Sequence, residues 1–96
     1  MKVMISQPMR GLTNEEIKAA REAVIKVINS DWEVLNTLFD IESDNPIYYL
    51  AKSIEKLAEA DIVIFVPGWE TARGCKIEYE IAKEYGKTIV ILGNQE

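Results

Sequence analysis

The sequence predicts an α/β fold, a four-stranded parallel sheet with helices on both faces. Two observations predict it. Apolar runs and amphipathic segments alternate along the chain in the order βαβαβαβ, which implies a parallel sheet covered by helices. The run "DIVIFVP" (Asp61 to Pro67) has no polar alternation, so both of its faces are covered, as in a central parallel strand.

Each element has its own reason. "KVMIS" (Lys2 to Ser6) is a short apolar run consistent with a buried strand. Thr13 followed by Glu16 is a capping-box pattern. Ile17, Ala20, Val24, Val27 and Ile28 then recur at helical spacing, giving a first helix over about 14–29. "WEVLN" (Trp32 to Asn36) is a weaker strand, expected at a sheet edge, and "TLFDIESD" is a loop. Asn45 and Pro46 start a second helix, with Asn at the cap and Pro in the first turn. Its apolar stripe is Ile47, Leu50, Ile54, Leu57 and Ala58. "GWETARG" is a loop, and a third helix runs from about Arg73 to Tyr85, with Gly86 as its stop. "TIVIL" (Thr88 to Leu92) is expected to be a last buried strand.

Right-handed crossovers favour the strand order 2-1-3-4. The result is a three-layer, flavodoxin- or Rossmann-like sandwich. With 96 residues and no repeat or linker, residues 1–96 make one domain. One modest core is available, so a homodimer or higher homo-oligomer is expected.

Composition narrows the chemistry. The net charge is −5, from 16 acidic and 11 basic residues, which argues against a nucleic-acid polymer or an anionic membrane as partner. The single cysteine, Cys75, excludes an internal disulfide and suggests a reducing compartment. There is no histidine, so a zinc site is not expected and a histidine-based triad is impossible. No apolar run reaches the roughly 18 residues of a membrane span. No signal peptide is recognisable, and the expected location is the cytoplasm.

In a 2-1-3-4 sheet the order reverses between the first and third strands. A ligand crevice opens there, at the carboxyl ends of the strands. The bordering loops are "SQPMRGL" and "PGWETARG". Candidate contacts are Ser6, Pro8, Met9, Arg10 and Gly11 from the first, and Gly68, Trp69, Glu70, Arg73 and Gly74 from the second. Arg10 and Gly11 read either as a turn with an incidental charge or as an anion grip, because Gly admits close approach and Arg suits phosphate oxygens. Trp69 reads as a base-stacking platform or as packing.

The third helix carries the most informative residue. Cys75, Glu78, Ala82 and Tyr85 share one face, so Glu78 falls on the side facing the sheet. An unpaired buried carboxylate is costly, so Glu78 should have a partner or a purpose. Proximity to the helix start is expected to favour its anion, which fits a nucleophile or a ligand-hydroxyl acceptor. The competing reading is a bond to a backbone amide or an ion pair with Arg10 or Arg73.

Strand-"SQPMRGL", followed by "AEADIVIFVPGWETARGCKIEYEIAKEYGKTIVIL", resembles the nucleoside 2-deoxyribosyltransferase-like superfamily, nearest to its small, mostly phage-borne members. The likeness spans nearly the whole chain. Its sharpest part is an Asp-led strand, a loop, Gly-x-x-x-Glu opening a helix, and Gly-Lys before another strand. Here these are Asp61, Gly74, Glu78, Gly86 and Lys87. The resemblance implies N-glycosyl transfer or hydrolysis on a deoxynucleoside or its 5′-monophosphate. It implies Glu78 as nucleophile, Arg10 and Gly11 near the phosphate, and no metal or cofactor. It also implies oligomers that complete their sites with a neighbour's residues. The sequence departs from the pattern at two points. Ser53 stands where active members carry an Asp, and Ala72 stands near the position of a second acid, with Glu70 close by. A chain that kept the pocket and lost an acid would bind nucleotide without cleaving it, which is the alternative expectation.

Overall fold

The computed structural model describes residues 1–37 and 45–92. From residue 38 on, the expected "TLFDIESD" loop lies outside them. The strands are β1 (Lys2–Ser6), β2 (Glu33–Val34), β3 (Ile62–Phe65) and β4 (Thr88–Ile91), and the helices are α1 (Asn14–Val27), α2 (Pro46–Glu59) and α3 (Arg73–Glu84). A short 3₁₀ turn, Trp69–Thr71, precedes α3.

The sheet is all parallel, in the order β2-β1-β3-β4. Val3 pairs with Ile62 and Ser6 with Phe65, so β1 and β3 end level with each other. One helix covers one face and two cover the other. On the first, Val24 of α1 packs with Val3, Ile5, Ile62, Ile64 and Val66. On the second, Leu57 of α2 and Ala82 of α3 pack with Met4, Val63 and Phe65.

The helix ends follow local chemistry. The Thr13 side chain accepts from the Glu16 amide at 3.1 Å and the Glu16 carboxylate accepts from the Thr13 amide at 2.9 Å. Asn45 Oδ1 accepts from the Ile47 amide at 3.0 Å. After α3, Gly86 adopts φ 74°. The Lys87 amide then reaches back to the Ala82 carbonyl at 2.9 Å, a Schellman closure that needs the left-handed residue. Asp61, at the opposite end of β3, caps the edge of β1 by accepting from the Lys2 amide at 2.8 Å.

Several expectations are corrected. β4 is not buried: its four residues are exposed or half-buried, because it lies at the sheet's edge with one strand neighbour. β2 is two residues long, shorter than "WEVLN". Val27 is 71% exposed and Arg21 is buried instead, so the inward stripe of α1 runs through Ile17, Arg21 and Val24. Ile47 and Ala58 are exposed ends of the α2 stripe. Tyr85 is 79% exposed, since α3 ends at Glu84 and the chain turns away at Gly86. No described helix is long and apolar enough to cross a membrane.

Candidate functional site

Three segments converge at the carboxyl end of β1. Beyond Ser6, the ladder between β1 and β3 continues with the Val66 amide donating to the Ser6 carbonyl at 3.1 Å. The two loops then diverge. A cavity of about 780 Å³ opens beside them, under the N-terminal turns of α2 and α3. It is walled by the β1 loop, by Thr37 after β2, and by the first turns of both helices.

Glu78 lies on this wall with 6% of its surface exposed. Its burial follows from helical spacing, as Cys75, Glu78 and Ala82 are the buried residues of α3. The Ser6 hydroxyl on β1 donates to Glu78 Oε1 at 2.6 Å. The Ser53 hydroxyl on α2 lies on the same wall and also favours the ionised form of this carboxyl. Burial holds the Glu78 carboxyl above the ordinary carboxylate range, and the two hydroxyls pull the other way without cancelling it. The helix dipole gives less help than its place in the sequence suggested. Glu78 is in the second turn of α3, beyond the reach of the N-terminal partial charge.

Of the other residues expected at the crevice, Ser6, Pro8, Met9, Arg10, Arg73 and Gly74 line it. Gly11, Gly68, Trp69 and Glu70 lie outside the lining. Gly11, at φ 80°, is the third residue of a turn closed by the Leu12 amide on the Met9 carbonyl at 3.1 Å. That turn sets Arg10 at its second position. Gly68, at φ 96°, sits where an added Cβ would meet Pro8 Cγ at 3.4 Å, so it lets the two crevice loops touch. Trp69 stacks on Tyr79 with centroids 4.7 Å apart and tilts against Phe65 at 5.2 Å. It is held in the core on the α2–α3 side and not presented to the crevice.

Arg10 and Arg73 make no ion pair among the described residues, where the salt bridges are Lys52–Glu55 and Lys56–Glu59. Neither arginine neutralises Glu78. The first turn of α3 adds backbone donors: its cap, Ala72, has no side chain to bond them. The cavity thus pairs a cationic mouth with a deep carboxyl.

Several lining residues were not recognised as such in the sequence. Leu50 shares one flank of α2 with Tyr49 and Ser53 at helical spacing and reads as ordinary amphipathicity. Gln7 is buried, donates from Nε2 to the Ile17 carbonyl at 3.0 Å, and leaves Oε1 buried without a partner among the described residues. Thr37 accepts from Arg21 Nη1 at 3.1 Å, while Arg21 Nη2 donates to the Leu35 carbonyl at 2.7 Å. Burial lowers the Arg21 pKa from its ordinary value. Burial also pushes the Cys75 thiol up to about 11, which keeps it protonated and unreactive at neutral pH. Among the described residues, no three His, Cys, Asp or Glu side chains gather as metal ligands.

No curated protein and no solved structure matches the chain. One family does, over residues 1–91 and so over β1 through β4: the chain belongs to the family described as "Domain of unknown function (DUF4406)".

Proposed function

We propose that the protein transfers or hydrolyses the N-glycosidic bond of a deoxynucleoside or its 5′-monophosphate, with Glu78 as nucleophile. The observation that carries this reading is the placement of Glu78. It is almost wholly buried, hydroxyl-bonded by Ser6, and faces a cavity with no cation paired to it among the described residues. A carboxylate held that way has no evident structural task that a smaller or apolar residue would not do better. Perturbed carboxylates in clefts are functional candidates on the same grounds. The resemblance to the 2-deoxyribosyltransferase-like superfamily points to the same residue.

The chemistry follows double displacement, as in retaining glycosidases. A Glu78 oxygen forms a bond to the anomeric carbon while the bond from that carbon to the base nitrogen breaks. The electron pair leaves with the base, which takes a proton from solvent. A water or a second base then attacks the same carbon and frees the Glu78 carboxylate, the incoming atom losing its proton. Ser6 and Ser53 orient the carboxylate in both steps. Arg10, Arg73 and the free amides of the first turn of α3 suit a phosphate at the mouth.

A second reading, a nucleotide-binding module without turnover, is favoured by one observation. Glu78 is the single carboxylate among the described lining residues, and Glu70 lies outside. Incubation with the four deoxynucleoside 5′-monophosphates, followed by chromatography for free base, separates the two. Base release that disappears in Glu78→Gln, with nucleotide affinity kept, is the expected result. Binding without release in the parent protein selects the second reading, and release that survives Glu78→Gln removes Glu78 as nucleophile.

A further inference from the structure

Thr37 enters the cavity wall from beyond β2. It is buried, and Leu35, two residues before it, packs in the core on the α2–α3 side. Its hydroxyl has a fixed polarity. Arg21 Nη1 donates to Thr37 Oγ1 at 3.1 Å, and Arg21 Nη2 is anchored on the Leu35 carbonyl at 2.7 Å. A guanidinium only donates, whereas a hydroxyl has one proton and two lone pairs. Arg21 takes up a lone pair, so the Thr37 proton is left for another acceptor. Among the described residues no hydrogen bond donated by Thr37 is found. Arg21 is buried too, and no carboxylate is paired with it among the described residues. A cation in such surroundings polarises the hydroxyl and strengthens it as a donor toward negative charge.

The topology says which part of a ligand this donor meets. In the order β2-β1-β3-β4, Thr37 lies beyond β2 and Arg73 lies beyond β3, on opposite sides of β1. Ser6 at the end of β1, bonded to Glu78, stands between them. In a nucleotide the anomeric carbon likewise lies between base and phosphate. With the phosphate at the first turn of α3 and the anomeric carbon at Glu78, the base falls on the Thr37 side.

We propose that the Thr37 hydroxyl, backed by Arg21, donates to a keto oxygen of a uracil- or thymine-type base. This deepens, and rests on, the glycosidic reading of Glu78. As a Glu78 oxygen bonds to the anomeric carbon, the electron pair of the breaking bond passes to N1 of the base and spreads onto its two keto oxygens. Thr37 holds that charge until the free base takes a proton from water. The rest of the wall favours the same class. Glu78 is the single carboxylate among the described lining residues, the chain has no histidine, and the Cys75 thiol stays protonated. A base that departs as a stable anion needs no acid there. Adenine, with no keto oxygen, is the poorer fit. Arg21 is a positioning residue that acts through Thr37.

Base release from 2′-deoxyuridine 5′-monophosphate, its 5-fluoro analogue and 2′-deoxyadenosine 5′-monophosphate tests this. Calorimetric binding of the first is compared with that of 2-deoxyribose 5-phosphate, which has no base. The parent chain should release uracil faster than adenine. Thr37→Val keeps the shape and removes the hydroxyl. Its release of uracil should fall about tenfold or more, the effect of a lost bond to developing charge. Release of 5-fluorouracil, a better leaving group, should fall less, and Thr37→Ser should match the parent. Arg21→Met should show the same dependence on the leaving group, and Arg21→Lys, another pure donor, should not. Turnover in Thr37→Val equal to the parent on every substrate overturns the proposal and leaves the role of Glu78 standing. The parent chain decides without any variant as well: adenine released as readily as uracil also overturns it. If the parent releases no base, the glycosidic reading falls and binding judges Thr37. Affinity for 2′-deoxyuridine 5′-monophosphate that drops in Thr37→Val, with 2-deoxyribose 5-phosphate unchanged, upholds the contact with the base. Unchanged affinity for both overturns it.

Discussion

A carboxyl buried as deeply as Glu78 is costly to ionise, and Ser6 and Ser53 only partly offset that cost. The folded-state pKa lies above the unfolded value of about 4.3, so the folded chain binds the proton more tightly. Stability therefore falls as pH rises from the unfolded to the folded pKa, and is flat outside that window. Glu78→Gln keeps the shape and the acceptor oxygen but cannot ionise. Urea denaturation should show the variant gaining on the parent through this window, with the gap constant above it and smallest below about pH 4. Base release, which needs the anion, should run the other way and be lost as pH falls through the same pKa. Spacing along α3 was enough to turn Glu78 inward on paper. Its partners were not foreseeable, because Ser6 lies 72 residues away and only the packing of β1 and α2 against α3 brings both hydroxyls to it. Trp69 stays open between stacking and packing in the sequence for a related reason. Its neighbours in sequence are loop residues, whereas its neighbours in space are Phe65 and Tyr79.

At the scale of elements, caps decided where helices begin, and they are written in short local patterns. The Thr13–Glu16 box and the Asn45–Pro46 start need no tertiary information. Strand ends and exposure depend on neighbours, which is why β2 shrank and β4 proved half-open. The Gly86–Lys87 pair shows an element boundary serving a second element. Gly86 ends α3, and Lys87 Nζ then donates to the Ala60 carbonyl at 2.8 Å and the Ala58 carbonyl at 3.2 Å. Those are end carbonyls of α2 that lack helical partners. Lys87→Met should cost about 1–2 kcal/mol, because charge-assisted bonds to orphan carbonyls are lost while the stem's packing is kept. Gly86→Ala should cost about 1 kcal/mol through its left-handed backbone. Thr13→Ala should cost a similar amount, about 1 kcal/mol, by opening the capping box. Thermal or urea unfolding of the three variants checks each value; Thr13→Ala should add to either of the others, whereas the adjacent Gly86 and Lys87 should couple.

Across the whole molecule, a chain of net charge −5 places two arginines at one cavity mouth with no described ion partner. Exposed charges of this kind act over about 10 Å at 0.1 M salt. Affinity for a nucleoside monophosphate should drop as salt rises, while affinity for the corresponding nucleoside should hardly change. Arg10→Ala should weaken the monophosphate about tenfold or more and leave the nucleoside unaffected, as calorimetric titration of both ligands would show. The topology and the crevice position were readable from element order alone, since 2-1-3-4 dictates where a parallel sheet opens. Apart from Ser53, which the resemblance marks, which α2 residues would line that opening was not readable from periodicity, because an amphipathic stripe does not announce which of its members face a void.

The lone helix on its side of the sheet is fastened partly by polar clamps. Gln7 grips the Ile17 carbonyl from the crevice loop, and Arg21 reaches from α1 to Leu35 and Thr37. Gln7 and Thr37 belong to the walls of the cavity. Whatever molecule stiffens those walls thereby tightens α1 from behind, and slower deuterium uptake along a helix it never touches would betray its arrival.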